Sequence, residues 1–426
     1  MRTITVALAM LVAAPAMAQS PGDWRNDTPG HVRRINLAAL PPPFLTSSAS
    51  NAPAIVSRPA GVMPKVPAGD TVTAWAANLK APRAIRTLPN GDVLVAETAA
   101  GRVVVLRPEG DHASVSVFAS GLDGPFGMAV WPPASANQGP PRYLFVGEEG
   151  RVVRFPYAPG DLRATGPAQV VVPRLPTGGH STRDLAVAPD GSRLFVSVGS
   201  ASNAGTGMPD QPPGGIAAWE AAHGLGATWG SERGRATVEW FTPEDGTLHS
   251  YANGLRNCAG LAVQPTTGAV WCATNERDGL GDDLPPDYAT SVREGGFYGW
   301  PWYYMGPHAD PRFDHARRDL ASKVIVPDVP LSPHNAPLGI AFGPDGSGYV
   351  ALHGSWNRAT RSGYKLVRLP MRGDRPTGEI EDVMTGLVLS DDEVYGRPVG
   401  VAVTADGAIL VTDDAGGTVW RIAKKP

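Results

Sequence analysis

One histidine, three arginines and one acidic loop hold most of the chemical possibilities in this chain. His180 lies in Gly178-Gly179-His180-Ser181-Thr182-Arg183, directly ahead of an apolar strand. An imidazole ordinarily titrates close to neutrality, so a histidine at the entrance of a pocket can act as a general base. A surface or capping role is the plainer alternative for one of nine histidines. Arg256, Arg358 and Arg397 occupy similar pre-strand or loop positions, in Leu255-Arg256-Asn257, Trp356-Asn357-Arg358 and Gly396-Arg397-Pro398. Guanidinium groups bind carboxylates bidentately. Three of them brought to one axis would recognise an anionic ligand; three unrelated ion pairs are the alternative.

The loop Asn275-Glu276-Arg277-Asp278-Gly279-Leu280-Gly281-Asp282-Asp283 is dense in carboxylates and glycine. Such a loop can turn several oxygens toward one point, as a hard cation such as Ca²⁺ requires; a solvated acidic turn has the same composition. The only two cysteines, Cys258 and Cys272, lie on the two arms of the hairpin that precedes this loop. They are either a disulfide or two buried thiols, and neither has the partners for zinc. No glycine-rich dinucleotide fingerprint, P-loop, G-x-S-x-G elbow or H-E-x-x-H sequence is present, so Rossmann-type nicotinamide chemistry and serine hydrolysis lose ground.

The elements that must position these residues form a repeat. Each copy is an apolar strand, a turn such as Pro-Asp-Gly, a second apolar strand and a further short strand. The copies begin at Ala84, Pro125, Asp184, Cys258, Leu338 and Val399. Six such units predict an all-β, six-bladed β-propeller, with function on the face that carries the inserted loops. The strand at Thr71 is expected to pair with the last blade and close the ring. Residues 1–18 read as a signal peptide: Arg2, the apolar stretch from Ile4 to Ala14, then Ala16-Met17-Ala18. Residues 19–68 are rich in Pro and Ala and read as an extended, poorly packed arm, and 69–426 as the propeller. The signal points to the periplasm or the exterior, and no later apolar run is long enough to span a membrane. Among 426 residues, 37 Lys and Arg face 40 Asp and Glu, which gives no electrostatic case for nucleic acid.

Taken together, GLRN…GLAV, NERDGLGDDL, GGFYGWP, ALHGSWNR and GRPVGVAV resemble the glucose/sorbosone dehydrogenase family, in its L-sorbosone and aldose dehydrogenase branch, over about Val72 to Ile422. The resemblance implies a secreted six-bladed propeller that oxidises a sugar or related aldehyde or alcohol with pyrroloquinoline quinone (PQQ) and Ca²⁺, passing electrons to a quinone or cytochrome. It implies that His180 takes the substrate's hydroxyl proton and that Arg256 and Asn257 meet the quinone oxygens. It places the Ca²⁺ at the Asp278 and Gly279 carbonyls and the PQQ carboxylates near Arg358 and Arg397. Trp356 and His334 fall at the substrate rim. Gly179 stands where the glucose-oxidising branch has Asp, which bears on the choice of sugar. A Ca²⁺-dependent lactonase or esterase on the same fold, or a non-catalytic ligand-binding propeller, are the competing readings.

Overall fold

The computed structural model describes residues 22–313 and 316–425. The signal segment at 1–18 lies outside them. Six blades surround a central channel, each built on four antiparallel strands, and two of them carry a fifth strand at the outer edge. Their innermost strands are Pro82–Thr87, Met128–Trp131, Leu185–Val187, Cys258–Val263, Pro337–Phe342 and Pro398–Val403. These are the six predicted repeats, and the fold is a six-bladed β-propeller. The Pro-Asp-Gly and related turns set the hairpins, and the second strand of each blade is apolar on both faces because neighbouring blades cover it. Asp70–Ala76 pairs antiparallel with Thr418–Lys424, so the last blade is completed by the first propeller strand, as the sequence predicts.

Close approach of the inner strands depends on small residues. A Cβ on Gly127, Gly260, Gly339 or Gly400 would lie 2.3–2.6 Å from a carbonyl oxygen of the next blade. Two residues further on, Ala129, Ala186, Ala262, Ala341 and Ala402 line the channel. The first blade has Ala84 at the glycine position, and two charged residues break the pattern. Asp184 stands where those four blades have glycine, and Arg86 stands where five have alanine. The two exceptions meet across the channel: Arg86 Nη2 lies 2.5 Å from Asp184 Oδ1, while Asp184 Oδ2 accepts the Leu261 N–H at 2.8 Å. Beyond this pair the channel opens into a cavity of about 260 Å³ at the C-terminal ends of the inner strands. The candidate chemistry lies at the other end.

Cys258 and Cys272 form a disulfide, with Cα atoms 5.6 Å apart. It staples the first hairpin of the fourth blade. Closing a loop of 14 residues' separation restricts the unfolded chain by about 3 kcal/mol. Cys258→Ser with Cys272→Ser is therefore expected to lower unfolding free energy by about that amount in denaturant titrations. Two titratable thiols in denatured, unreduced parent protein would refute the bond.

The N-terminal arm is extended and largely exposed, as expected, yet it is hydrogen-bonded to the blades at defined points. Val32–Arg33 adds to the outer edge of the fifth blade, and Ala54–Ile55 pairs in parallel with Glu393–Val394. Pro-rich sequence carries no strand periodicity, and the arm's partners lie hundreds of residues away, so these contacts leave no local pattern. Among the described residues one α-helix occurs, Ile216–His223, inside the long Gly199–Arg235 insert. No helix among them is long and apolar enough to cross a membrane.

Candidate active site

His180 sits at the N-terminal end of the third blade's inner strand, on a segment held by its carbonyls. Two arginines do the holding. Arg183 donates to the carbonyls of His180 at 2.8 Å, Thr182 at 2.7 Å, and Pro176. Arg235 donates to those of Gly178 at 2.9 Å and Thr177. The ring is fixed from one side: Nδ1 lies 2.8 Å from the Ser200 carbonyl and 3.1 Å from Ser200 Oγ. Ser200 Oγ donates its own hydrogen to the Ser202 carbonyl at 2.7 Å. Both oxygens facing Nδ1 are thus acceptors, which assigns the proton to Nδ1 and leaves the lone pair on Nε2. The Ser200 turn is itself anchored on Glu232, which accepts from the N–H groups of Ala201 and Ser202 at 2.7 and 2.9 Å.

Gly179 explains itself here. It has φ +66°, and a Cβ would come 2.4 Å from the Ala201 carbonyl oxygen. A carboxylate directly before His180 has no room without moving the turn that orients the imidazole. Gly179→Asp is expected to lower turnover and thermal stability together, checked by steady-state assay and melting temperature; an intact, active variant would show that the turn yields.

Arg256 and Asn257 approach His180 from the fourth blade. A Cβ at Gly199 would lie 2.6 Å from both Asn257 Oδ1 and His180 Cβ, so glycine there keeps the two side chains together. Asn257 Oδ1 is buried with no hydrogen-bond partner in the protein. Such an atom costs free energy unless a ligand satisfies it. Arg256 is buried and held by the Asn203 carbonyl at 2.9 Å, Asn203 Oδ1 at 2.9 Å and the Glu276 carbonyl at 2.7 Å, with Asp278 Oδ2 at 3.9 Å. Burial and the nearby Arg256 charge push the His180 imidazole down to about 4. It is neutral at pH 7.

Asp278 reaches the same cluster by its side chain. Its Oδ1 meets His334 Nδ1 at 3.3 Å and accepts from Asn357 Nδ2. Burial favours the neutral acid, but His334, Arg256 and Asn357 outweigh it and hold the carboxyl below its usual range. The Asp278 carbonyl is already engaged. It accepts from Asn203 Nδ2 and Arg312 Nη1, each at 3.0 Å, and Asp310 grips the Arg312 guanidinium. Where the resemblance places a Ca²⁺ ligand, the Asp278 carbonyl is thus engaged by Arg312 and Asn203. Among the described residues no group of three or more His, Cys, Asp or Glu could hold a metal ion.

His334 is not at the rim. It is buried, with Nδ1 facing Asp278 and Nε2 3.0 Å from the Gly281 carbonyl, and it positions the Asp278 loop. Trp356 is 54% exposed and remains the rim candidate. The three arginines each have a separate carboxylate partner: Arg256 near Asp278, Arg358 with Asp283 at 2.6 Å, and Arg397 with Asp414 at 3.0 Å. Arg358 is fully buried, and its Nη2 braces the 278–283 loop through Asp283. The Arg397 group is larger than the sequence suggests. Arg83 reaches Asp414 at 2.8 Å and His353 Nε2 lies 3.1 Å from it. Burial raises Asp414, but His353, Arg83 and Arg397 prevail and hold it down at about 2. Two guanidinium groups, Arg83 and Arg397, thus share the Asp414 carboxylate beside the channel mouth.

The sequence profile of the TrAA12-like family matches residues 64–287 and 311–425. The chain belongs to the TrAA12-like family. This TrAA12-like chain is 32% identical over 181 residues to an uncharacterized protein of Borreliella burgdorferi, covering 40% of this chain and 48% of that one. It is 35% identical over 123 residues to a pyrroloquinoline quinone-dependent pyranose dehydrogenase of Coprinopsis cinerea, covering 24% of this chain and 17% of that one. The match thus spans about half of the first relative and about a sixth of the second. The holo form of the pyranose dehydrogenase PQQ domain from Coprinopsis cinerea superposes with a TM-score of 0.67 at 21% identity, covering 88% of this chain and 99% of that domain. That likeness shows the shared propeller fold. The resemblance to soluble PQQ sugar dehydrogenases drawn from the motifs holds at the level of the family.

Proposed function

We propose that this TrAA12-like protein is a PQQ-dependent oxidoreductase that oxidises an aldose or a sorbosone-like sugar aldehyde or alcohol, with His180 as the general base. One observation carries the reading: a neutral imidazole, oriented through Nδ1, stands beside a buried and unsatisfied Asn257 Oδ1, the two packed together against Gly199. Arg256 and Asn257 would hold the quinone end of the cofactor. Arg397 and Arg83 would supply charge for its carboxylates. When bound, PQQ supplies the hydride acceptor. His180 Nε2 takes the proton of the substrate hydroxyl. The disulfide and the signal-like N-terminus support an exported protein that passes electrons to a quinone or cytochrome. A propeller lactonase with carboxylate metal ligands is less well supported, because no such ligand group gathers among the described residues.

The test is reconstitution. Apo-protein is expected to be inactive, and added PQQ should restore dye-linked oxidation of at least one sugar or aldehyde in a broad panel. Because Arg312 occupies the Asp278 carbonyl, PQQ binding is expected to survive EDTA. Strict dependence on Ca²⁺ would show that Arg312 gives way to the cation. Confirmed PQQ binding without oxidation of any sugar, alcohol or aldehyde would sink the dehydrogenase assignment.

A further inference from the structure

The family match begins at residue 64, yet the segment before it makes specific contacts with the site loops. Phe44 donates its N–H to the Leu280 carbonyl at 2.8 Å. Thr46 Oγ1 accepts the Asp282 N–H at 2.8 Å. Asn51 donates its N–H to the Trp356 carbonyl at 2.6 Å and its Nδ2 to the Ala359 carbonyl at 3.1 Å. Arg361 returns two bonds, to the Asn51 carbonyl at 3.0 Å and to Asn51 Oδ1 at 3.3 Å. Residues 54–55 then pair with 393–394, three residues before Arg397. Between Phe44 and Ile55 the arm therefore ties together the loops that carry Asp278, Asn357 and Arg397, which belong to three different blades.

The fit is close. A Cβ on Gly281 would meet Thr46 Oγ1 at 3.0 Å and the Thr46 carbonyl at 3.1 Å. The loops also meet each other at this seam, where Asp282 Oδ2 accepts the Ala359 N–H at 2.8 Å. The Gly281 carbonyl is the group that fixes His334 Nε2, and His334 in turn fixes Asp278. A shift of the Thr46 contact is transmitted along this chain of bonds to the Asp278 carboxylate beside Arg256. Phe44 itself has φ +65° and is 58% exposed. A bulky side chain is rarely held in the left-handed region unless surrounding contacts impose it, and here its N–H bond to Leu280 is such a contact.

We propose that the arm is a clamp for the cofactor site, with Thr46 and Asn51 as positioning residues that set the 278–283 and 355–361 loops. The proposal rests on the PQQ reading for its ligand but not for its geometry. The test uses full-length protein carrying Thr46→Val, Thr46→Ser or Asn51→Ala. PQQ itself is the probe in a binding titration, and amide hydrogen exchange is measured on the same samples without cofactor. Thr46→Val and Asn51→Ala should each weaken PQQ binding by about tenfold, the size of one lost hydrogen bond. They should also speed exchange at Asp282 and at residues 355–361. Thr46→Ser keeps the acceptor oxygen and should match the parent in both. PQQ affinity within twofold of parent for both disruptive variants overturns the clamp, as does a Thr46→Ser that behaves like Thr46→Val. If the parent binds no PQQ, the quinone reading falls and the exchange data alone decide: unchanged exchange in the variants overturns the clamp, and faster exchange upholds it.

Discussion

His180→Ala is expected to reduce turnover by roughly 10²- to 10⁴-fold, the usual contribution of a positioned general base, while PQQ still binds. The two effects separate because different residues are responsible. Arg256, Asn257 and the Arg83–Arg397 group are proposed to hold the cofactor, and none of them depends on the imidazole for its position. Arg256→Ala should differ, losing cofactor affinity along with rate, because it removes a charged donor. Near-parent turnover of His180→Ala at saturating PQQ would place the base elsewhere.

The pH behaviour follows from the same environment. A base works deprotonated, so activity rises as pH passes upward through its pKa. In the free protein that limb lies near 4, since burial and Arg256 disfavour the imidazolium. An anionic cofactor against Arg256 offsets part of that effect, so the limb of the loaded enzyme should lie between about 4 and the ordinary 6.5. Stability carries the complementary sign. The folded state resists protonation that the unfolded chain accepts at about 6.5, so stability is full above that pH and is lost as pH falls toward 4. His180→Ala should flatten that loss in acid-range denaturant titrations; an unchanged profile would mean the imidazole is not desolvated as described.

The propeller was legible because its repeat is written in short-range terms. Pro-Asp-Gly turns, glycine at the point of blade contact and an alanine two residues later recur in the chain itself. The site was legible only where its residues belong to that repeat. His180, Arg256, Asn257 and Arg397 stand at the starts of inner strands and could be read from position. Asn203 lies in a long insert with no pattern. The Arg83–Asp414 contact joins residues 331 apart across the ring closure, and sequence spacing offers no hint of it. Arg312 beside the Asp278 carbonyl likewise comes from an irregular loop. The protonation state of His180 depends on which groups bury it, so a sequence gives only the ordinary imidazole pKa. The fitness of the 275–283 loop for Ca²⁺ is just as hard to read, because an oxygen-rich sequence does not reveal that the Asp278 carbonyl already has partners.

The channel pair offers the strongest test of how repeat irregularity and stability are connected. Arg86→Ala leaves the Asp184 carboxylate buried opposite an empty space. Breaking a buried pair by removing one partner costs about 3–5 kcal/mol. Arg86 retains some contact with solvent through the lower cavity, so the expected loss is nearer ~2–4 kcal/mol. The other blades show what a paired change should do. Alanine at the Arg86 position is what the five other inner strands use, and glycine at the Asp184 position is what four of them use. Arg86→Ala combined with Asp184→Gly removes the stranded charge and regularises the ring. Its stability should therefore exceed that of Arg86→Ala alone, although Leu261 loses an acceptor for its N–H. In a double-mutant cycle the coupling between neighbours should reach at least ~1 kcal/mol, within the range for groups in direct contact. Additive losses would mean that Arg86 and Asp184 contribute separately. A near-neutral Arg86→Ala would mean that water entering from the cavity solvates Asp184 well enough to replace the guanidinium. The sign of the double variant relative to the single one separates a pair retained for mutual neutralisation from two independent fillers of a channel that four other blades leave open.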